Sequence, residues 1–362
     1  SLLPALLMTA VCSTYICIAP EGLSLPEAIS YVIDVYRKDA EVQRNPFYLG
    51  LYLAFFPQLL AGPMVRYSTI VDKILNRKTS PQMFLEGCTR FALGLVKKVI
   101  IANNMAIIAD NIYLLVSSES DAVKVPVILA WIGAIAYTIQ IYYDFSGYSD
   151  MAIGLGKMLG FDFPQNFNLP YISKSVTEFW RRWHMTLSGW FREYVYIPLG
   201  GNRKGLKRQI LNMLVVWFLT GFWHGADWNF MLWGLYYFVL LTVEKLFLLD
   251  WLKKHPVPAR IYALLTIAVG WAIFYITDLG MLGRFIVKMF SFSGGISAGY
   301  YFRNYFVSIL VGILCSTPLT IRFYEKYKNN NMVMIPVLTL IFLLSVAYLV
   351  DSTYNPFIYF RF

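Results

Sequence analysis

The chain has 362 residues, of which 58% are hydrophobic and 14% charged, against roughly 25% charged in soluble domains. Its mean hydropathy of +0.54 excludes an ordinary water-soluble globule. A net charge of +10 would suit nucleic acid, but among apolar spans Lys and Arg report first on loop orientation, so no nucleic-acid partner is expected.

Crossing about 30 Å of hydrocarbon takes roughly 17 to 25 apolar residues. In chain order the segments that qualify are 2–19, 47–65, 91–109, 125–143, 210–226, 228–243, 261–276, 305–321 and 332–350. The third is the weakest, because Lys97 and Lys98 sit inside it. If these nine spans alternate, loops 66–90, 144–209, 244–260 and 322–331 hold 21 Lys and Arg, and loops 20–46, 110–124, 277–304 and 351–362 hold eight. The first set is therefore assigned to the cytoplasm. Cys12, Cys17, Cys88 and Cys315 are scattered, form no CxxC pair or Cys/His cluster, and read as packing residues. The start at Ser1 rather than Met implies that the chain begins inside a longer protein. With no internal repeat visible, residues 1–362 read as a single all-α membrane domain.

Region 144–208 differs from the rest. It carries many basic and aromatic residues and several Gly and Pro breaks, and reads as short re-entrant or interfacial helices. Irregular backbone at membrane depth is tolerated only where protein or a water-filled cavity surrounds it, so this segment is expected to line an interior cavity. Within it, 178–194 predicts one helix. At about 100° per residue, Trp180, Trp183, His184, Leu187, Phe191 and Tyr194 share one face, and Arg181, Ser188 and Arg192 another.

Of the three histidines, His255 follows Lys253 and Lys254 in a basic loop end and is expected to be solvated. His224 lies 14 residues beyond Ile210, roughly 21 Å into that span at 1.5 Å per residue. Ionisable groups at such depth mark function by default. Gly221 and Gly225 flank it and would admit a substrate or another backbone. A buried imidazole stays neutral and can accept a proton, as a general base must. No Ser-His-Asp spacing and no nearby cysteine is visible, so direct attack by an acceptor hydroxyl needs fewer parts than a covalent intermediate. Asp144 and Asp150 could supply metal ligands with the histidines, but their spacing is not specific for a metal. Capping of a following helix by Ser149 or Asp150 fits better, and no metal is assigned. The turn-rich Asn202, Arg203 and Lys204 could touch donor phosphates or simply anchor the next span.

The run Phe179-Trp-Arg-Arg-Trp-His-Met-Thr-Leu-Ser-Gly-Trp-Phe-Arg-Glu-Tyr-Val-Tyr-Ile-Pro-Leu-Gly-Gly-Asn-Arg203, followed by Leu219-Thr-Gly-Phe-Trp-His-Gly-Ala-Asp-Trp-Asn229, closely resembles the membrane-bound O-acyltransferase family. Ser30 to Arg37, Phe56 to Arg66, Tyr143 to Gly156 and Asn355 to Phe362 extend the likeness over nearly the whole chain. The branch resembled contains alginate and peptidoglycan O-acetyltransferases and the D-alanyl transfer protein of teichoic acid synthesis. The likeness implies a ring of helices around a thinned centre in a bacterial cytoplasmic membrane. It also implies His224 as the catalytic histidine, taken here as the general base, and His184 as the second site residue, which would position donor or acceptor and could polarise the thioester; Trp183, Trp223, Asn202, Arg203 and Lys204 are the candidate substrate contacts.

The unbroken Ile197-Pro-Leu-Gly-Gly-Asn-Arg203 is similar to the acetyltransferase branch. The expectation is therefore acetyl transfer from cytoplasmic acetyl-CoA, with no tightly bound cofactor, to an exported polysaccharide or an extracytoplasmic partner transferase. D-alanyl transfer from a carrier protein and a non-catalytic export scaffold are the alternatives. Two departures stand out. Relatives have hydrophobic segments before this chain starts, and the family's Trp-x-x-Phe-Arg-Ala element is here Trp271-Ala-Ile-Phe-Tyr-Ile276, with Tyr275 in place of Arg.

Overall fold

A computed structural model describes residues 25–55, 57, 62–118, 125–291, 298–328 and 330–351. The expected span at 2–19, Cys12, Cys17 and the ending at 355–362 lie outside them. All regular structure among the described residues is helical. Three short helices come first, α1 (Leu25–Arg37), α2 (Pro46–Leu53) and α3 (Tyr67–Leu75). Two long ones follow, α4 (Pro81–Ser117) and α5 (Val127–Met158). Then come α6 (Val176–Arg182) and α7 (Met185–Phe191), and a hairpin of α8 (Gly205–His224) and α9 (Trp228–Lys254). The remainder is α10 (Pro256–Tyr275), α11 (Leu279–Phe290), α12 (Ala298–Cys315), α13 (Pro318–Tyr327) and α14 (Asn331–Asp351). Five of these, α4, α5, α9, α10 and α14, are long and apolar enough to cross a membrane; α12 and α13, bent by 66° at a break, would add a sixth. The expected span at 305–321 is thus broken at Ser316 and Thr317, just before Pro318, as a residue preceding proline favours.

α5 is the centre of the core and packs against α4, α10, α11 and α12. It meets α4 antiparallel at glycines. A Cβ on Gly94 would stand 2.6 Å from the carbonyl oxygen of Gly147, and one on Gly87 2.6 Å from that of Gly154, so only hydrogen at these positions lets the backbones close. The same interface resolves the charges inside α4. Lys98 pairs with Asp144, while Lys97 and Arg90 reach Asp150 at 2.6 and 3.0 Å. Mutual neutralisation is the usual condition for ionised groups at this depth.

Two expectations are corrected here. The irregular region begins after Met158 rather than at 144, because α5 continues through Asp144 and Asp150. These carboxylates face α4 in mid-helix, so Ser149 and Asp150 cap nothing. The described residues of 47–65 do not form one straight helix, whose ends would lie about 27 Å apart. Instead α2 ends at Leu53, and the Tyr52 hydroxyl donates to the Val65 carbonyl at 2.8 Å. Tyr31, Tyr52, Phe55, Val65, Tyr67 and Ile70 form a satellite core with Phe161 and Phe163. The Arg66 guanidinium pairs with Asp34 of α1 at 2.9 Å, and the Arg37 guanidinium donates to the Glu193 carbonyl. Residues 25–46 therefore adjoin Arg66 and the 192–196 turn, which sets Arg37 beside the basic region that follows α5.

Candidate active site

The helix expected over 178–194 is two helices with a break at Trp183 and His184. His184 sits in the left-handed region at φ 42°, which non-glycine residues rarely adopt and which tends to persist where surroundings enforce it. The enforcing element is the preceding segment at 166–168. The Asn166 carbonyl accepts from Met185 N–H at 2.9 Å, and Asn168 N–H donates to the Arg182 carbonyl at 2.9 Å. These bonds satisfy backbone groups that the interruption exposes. At the start of α6, the Ser175 side chain accepts from Glu178 N–H. Glu244 of α9, fully buried, accepts from the N–H groups of Val176 and Thr177 at 2.6 and 2.8 Å.

Asn166 also fixes the tautomer of His184. Its Oδ1 accepts from the Thr186 backbone N–H at 3.2 Å and from the Thr186 hydroxyl at 2.9 Å. A backbone N–H only donates, so the contacting atom of Asn166 is its oxygen. His184 Nδ1, 3.1 Å from that oxygen, must then carry the proton. A neutral His184 presents Nε2 as an acceptor. It is unsuited to donate a hydrogen bond to a thioester oxygen.

His224 is the last residue of α8. Its ring stands edge-on to Trp233 and Phe274, with centroids 5.2 and 5.1 Å away, and makes no hydrogen bond among the described residues. The flanking glycines serve the α8–α9 hairpin rather than a ligand. A Cβ on Gly221 would lie 2.5 Å from the Phe230 carbonyl oxygen, and one on Gly225 2.6 Å from the Phe230 ring.

Both histidines line one cavity of about 470 Å³, within the usual range of small-molecule sites. Trp183 and Trp223 line it as well, whereas Asn202, Arg203 and Lys204 are exposed outside it. One stripe of α8 forms its wall, from Met213 through Val216, Trp217, Thr220 and Trp223 to His224, a rise of about 16 Å. Packed rings of Trp180, Trp183, Trp217, Trp233 and Trp271 surround its middle, with Trp183 and Trp271 4.7 Å apart. Near the start of that stripe, where Gln209 of α8 donates to the Tyr196 hydroxyl at 3.0 Å, the lining is polar with Arg192 and Tyr196, and Thr177 and Arg181 line the cavity as well. Arg181, Arg192, Tyr196 and Asn166 are the functional candidates that sequence periodicity missed. Two of them lay on what reads as the opposite helix face, and the break at His184 brings them round. His255, by contrast, is exposed as expected and stacks on Trp251. Tyr275 donates to Asp110 at 2.5 Å. Among the described residues no group of three or more His, Cys, Asp or Glu could hold a metal ion.

Comparison with known proteins shows the family. The model of the membrane-bound O-acyltransferase family matches residues 10–283. The chain is 39% identical over 371 residues to the probable alginate O-acetylase AlgI of Pseudomonas putida, covering 95% of this chain and 75% of that one. A protein of the same name from Azotobacter vinelandii is 46% identical over 276 residues, covering 75% and 54% of the two chains. The peptidoglycan O-acetyltransferase of Helicobacter pylori is 34% identical over 344 residues, covering 86% and 64%. The chain thus spans from about half to three quarters of the length of these relatives. Two histidines on one membrane-embedded cavity, the family match over residues 10–283 and this degree of identity lead to one conclusion: the chain belongs to the membrane-bound O-acyltransferase family.

Proposed function

We propose that the protein transfers an acetyl group from acetyl-CoA on the cytoplasmic side to a hydroxyl of an exported cell-surface polymer, directly or through an extracytoplasmic partner transferase. The observation that carries this reading is the cavity that joins a polar, arginine-bearing end to the two histidines along one stripe of α8. A pantetheine arm has roughly as many chain bonds as four peptide residues and extends about 14 Å. It matches the rise of that stripe, so a donor with its phosphates at the polar end would bring its thioester to His224.

In the proposed step, His224 takes the proton of the acceptor hydroxyl as the oxygen attacks the thioester carbonyl carbon. The C–S bond then breaks, the ester C–O bond is complete, and the thiolate recovers the proton from the imidazolium. His184, with Nε2 as acceptor, holds the acceptor hydroxyl or an amide N–H of the donor arm. The aromatic walls exclude water, which would otherwise compete as nucleophile. That relatives are named for acetylation of alginate or peptidoglycan supports a polymer acceptor.

The test is transfer of radiolabelled acetyl in proteoliposomes, comparing wild type with His224→Ala and acetyl-CoA with a D-alanyl carrier. Acetyl transfer that disappears in the variant is the expected result. A well-folded variant that acetylates at the wild-type rate would remove His224 from catalysis, and preference for the D-alanyl carrier would replace the donor.

A further inference from the structure

A second cavity, of about 390 Å³, lies against Met185 and Thr186, the residues that follow His184. Met64 lines both cavities, and its N–H donates to the Thr186 hydroxyl, which in turn reaches the Asn166 oxygen that holds His184. Much of the polar lining is already committed. Arg66, the cation of the described lining, grips both oxygens of Asp34 at 3.1 and 2.9 Å and stands 4.0 Å from Asp39. The Tyr194 hydroxyl donates to the same Asp34, and the Trp190 indole to the Pro26 carbonyl. Two acidic groups remain unspent. Glu27 lines the cavity at 1% exposure, and neither of its carboxyl oxygens has a hydrogen-bond partner among the described residues. Glu193, in the wide turn Arg192–Tyr196, lines it too; Arg37 donates to its carbonyl rather than its carboxylate, which has no ion-pair partner among the described residues.

We propose that this second cavity binds a small organic cation carrying a primary ammonium group, held by Glu193 and Glu27 beside the Trp190 ring. What the lining still offers is acceptors and negative charge, which repel an anion and match a ligand rich in donors. A buried carboxyl without a partner is costly as an ion, and an ammonium brings three donors and the opposite charge. An indole face attracts the same cation. Two carboxyls do not make a metal site, and no larger group of metal-binding side chains occurs among the described residues. The apolar walls supplied by Val65, Pro164 and Met185 suit an organic body rather than a bare ion. Such an ammonium has two sources, a free amine or the aminoethyl headgroup of a phospholipid. In either case the ligand rests on Met64 and Thr186, and so bears on the support of His184 without entering the catalytic cavity.

Isothermal titration of the purified protein in detergent at pH 8 measures binding of 2-phenylethylammonium and of its neutral isostere, 2-phenylethanol. Burial raises the Glu27 pKa to about 7, so its carboxyl is mostly ionised at that pH. The ammonium is expected to bind and the alcohol to bind at least about tenfold more weakly, and Glu27→Gln and Glu193→Gln should each weaken the ammonium about 10- to 100-fold, the range of a charge-assisted hydrogen bond. Gly189 lines the cavity with nothing within 4 Å of a Cβ built on it, so Gly189→Leu should fold, fill the space and remove binding. Unfolding midpoints check that each variant is folded. Dihexanoylphosphatidylethanolamine, set against the amine-free dihexanoylphosphatidylglycerol, identifies the source. If only this amine lipid binds, with the same variant pattern, the site takes a headgroup; if only the free amine binds, it takes a soluble cation. Binding of neither amine, equal binding of the alcohol, or binding that survives Gly189→Leu or both glutamine variants overturns the proposal. None of these measurements uses acyl transfer, so their failure is distinct from failure of the acetyl-transfer reading.

Discussion

Replacing Asn166 by alanine isolates what the tautomer of His184 is worth. One oxygen accepts from His184 Nδ1, the Thr186 N–H and the Thr186 hydroxyl at 3.1, 3.2 and 2.9 Å. Its removal frees the imidazole to protonate on either nitrogen and to turn, and leaves the Thr186 N–H without its acceptor. A net hydrogen bond contributes about 1 kcal/mol and an orphaned buried donor costs about 1–3 kcal/mol. Asn166→Ala is therefore expected to lower kcat about 5- to 10-fold and stability by about 2 kcal/mol.

Two companions separate these effects. Thr186→Val removes the hydroxyl that Met64 N–H donates to but leaves His184 its partner. It should destabilise with kcat nearly intact. Asn166→Asp keeps an acceptor oxygen and should recover most of kcat. The assay is single-turnover acetyl transfer beside thermal unfolding in detergent. If Asn166→Ala turns over at the wild-type rate while folded, or if Thr186→Val loses as much kcat, the tautomer argument is refuted.

Four further outcomes follow from the structure. Removing the base is expected to cost about 10²- to 10⁴-fold, and since residues serving one transition state are not additive, His184→Ala/His224→Ala should be scarcely slower than His224→Ala; penalties that multiply would speak for two independent functions. Glu27 of α1 is buried, which raises its pKa from the ordinary 4.5 to about 7. The folded state therefore binds a proton that the unfolded state has lost between these values, stability falls as pH rises from about 4.5 to 7, and Glu27→Gln should gain on wild type by about 3 kcal/mol at pH 8, a gain absent if unfolding midpoints move in parallel across the range. Gly94→Ala pushes a methyl to 2.6 Å from a backbone oxygen and should cost about 1–3 kcal/mol, while Gly283→Ala, with open space around it, should be neutral or stabilising; equal melting temperatures would contradict the close α4–α5 packing. A cysteine at Gly205 should resist an impermeant thiol reagent in intact cells and react in inverted vesicles, and the reverse labelling would invert the orientation of the basic face.

The sequence by itself determined that the chain is a helical membrane protein, because composition and apolar run length depend on no partner. It also singled out His184 and His224, which the structure places on one cavity, because an ionisable group deep in an apolar run is costly wherever the helix lies and the two Trp-His motifs resemble those of the family. It misjudged properties that depend on what a segment packs against. The apolar stretch at 47–65 reads as a span by length, yet its described residues break at Leu53 and bury Tyr52, Phe55 and Val65 in a satellite core with Phe161. Asp144 follows the expected span and Asp150 reads as the cap of a following helix, whereas both lie inside one helix α5 that runs on to Met158 and pair there with Lys98, Lys97 and Arg90 on α4. The 3.6-residue period predicts one straight helix over 178–194 and sets Arg181 and Arg192 away from the catalytic face. The break at His184 depends on hydrogen bonds from Asn166 and Asn168, 14 to 18 residues earlier, which no local pattern encodes. That long-range contact decides the tautomer of His184 and lets both arginines line the same cavity, because backbone groups freed at a helix break must find partners wherever the tertiary fold supplies them.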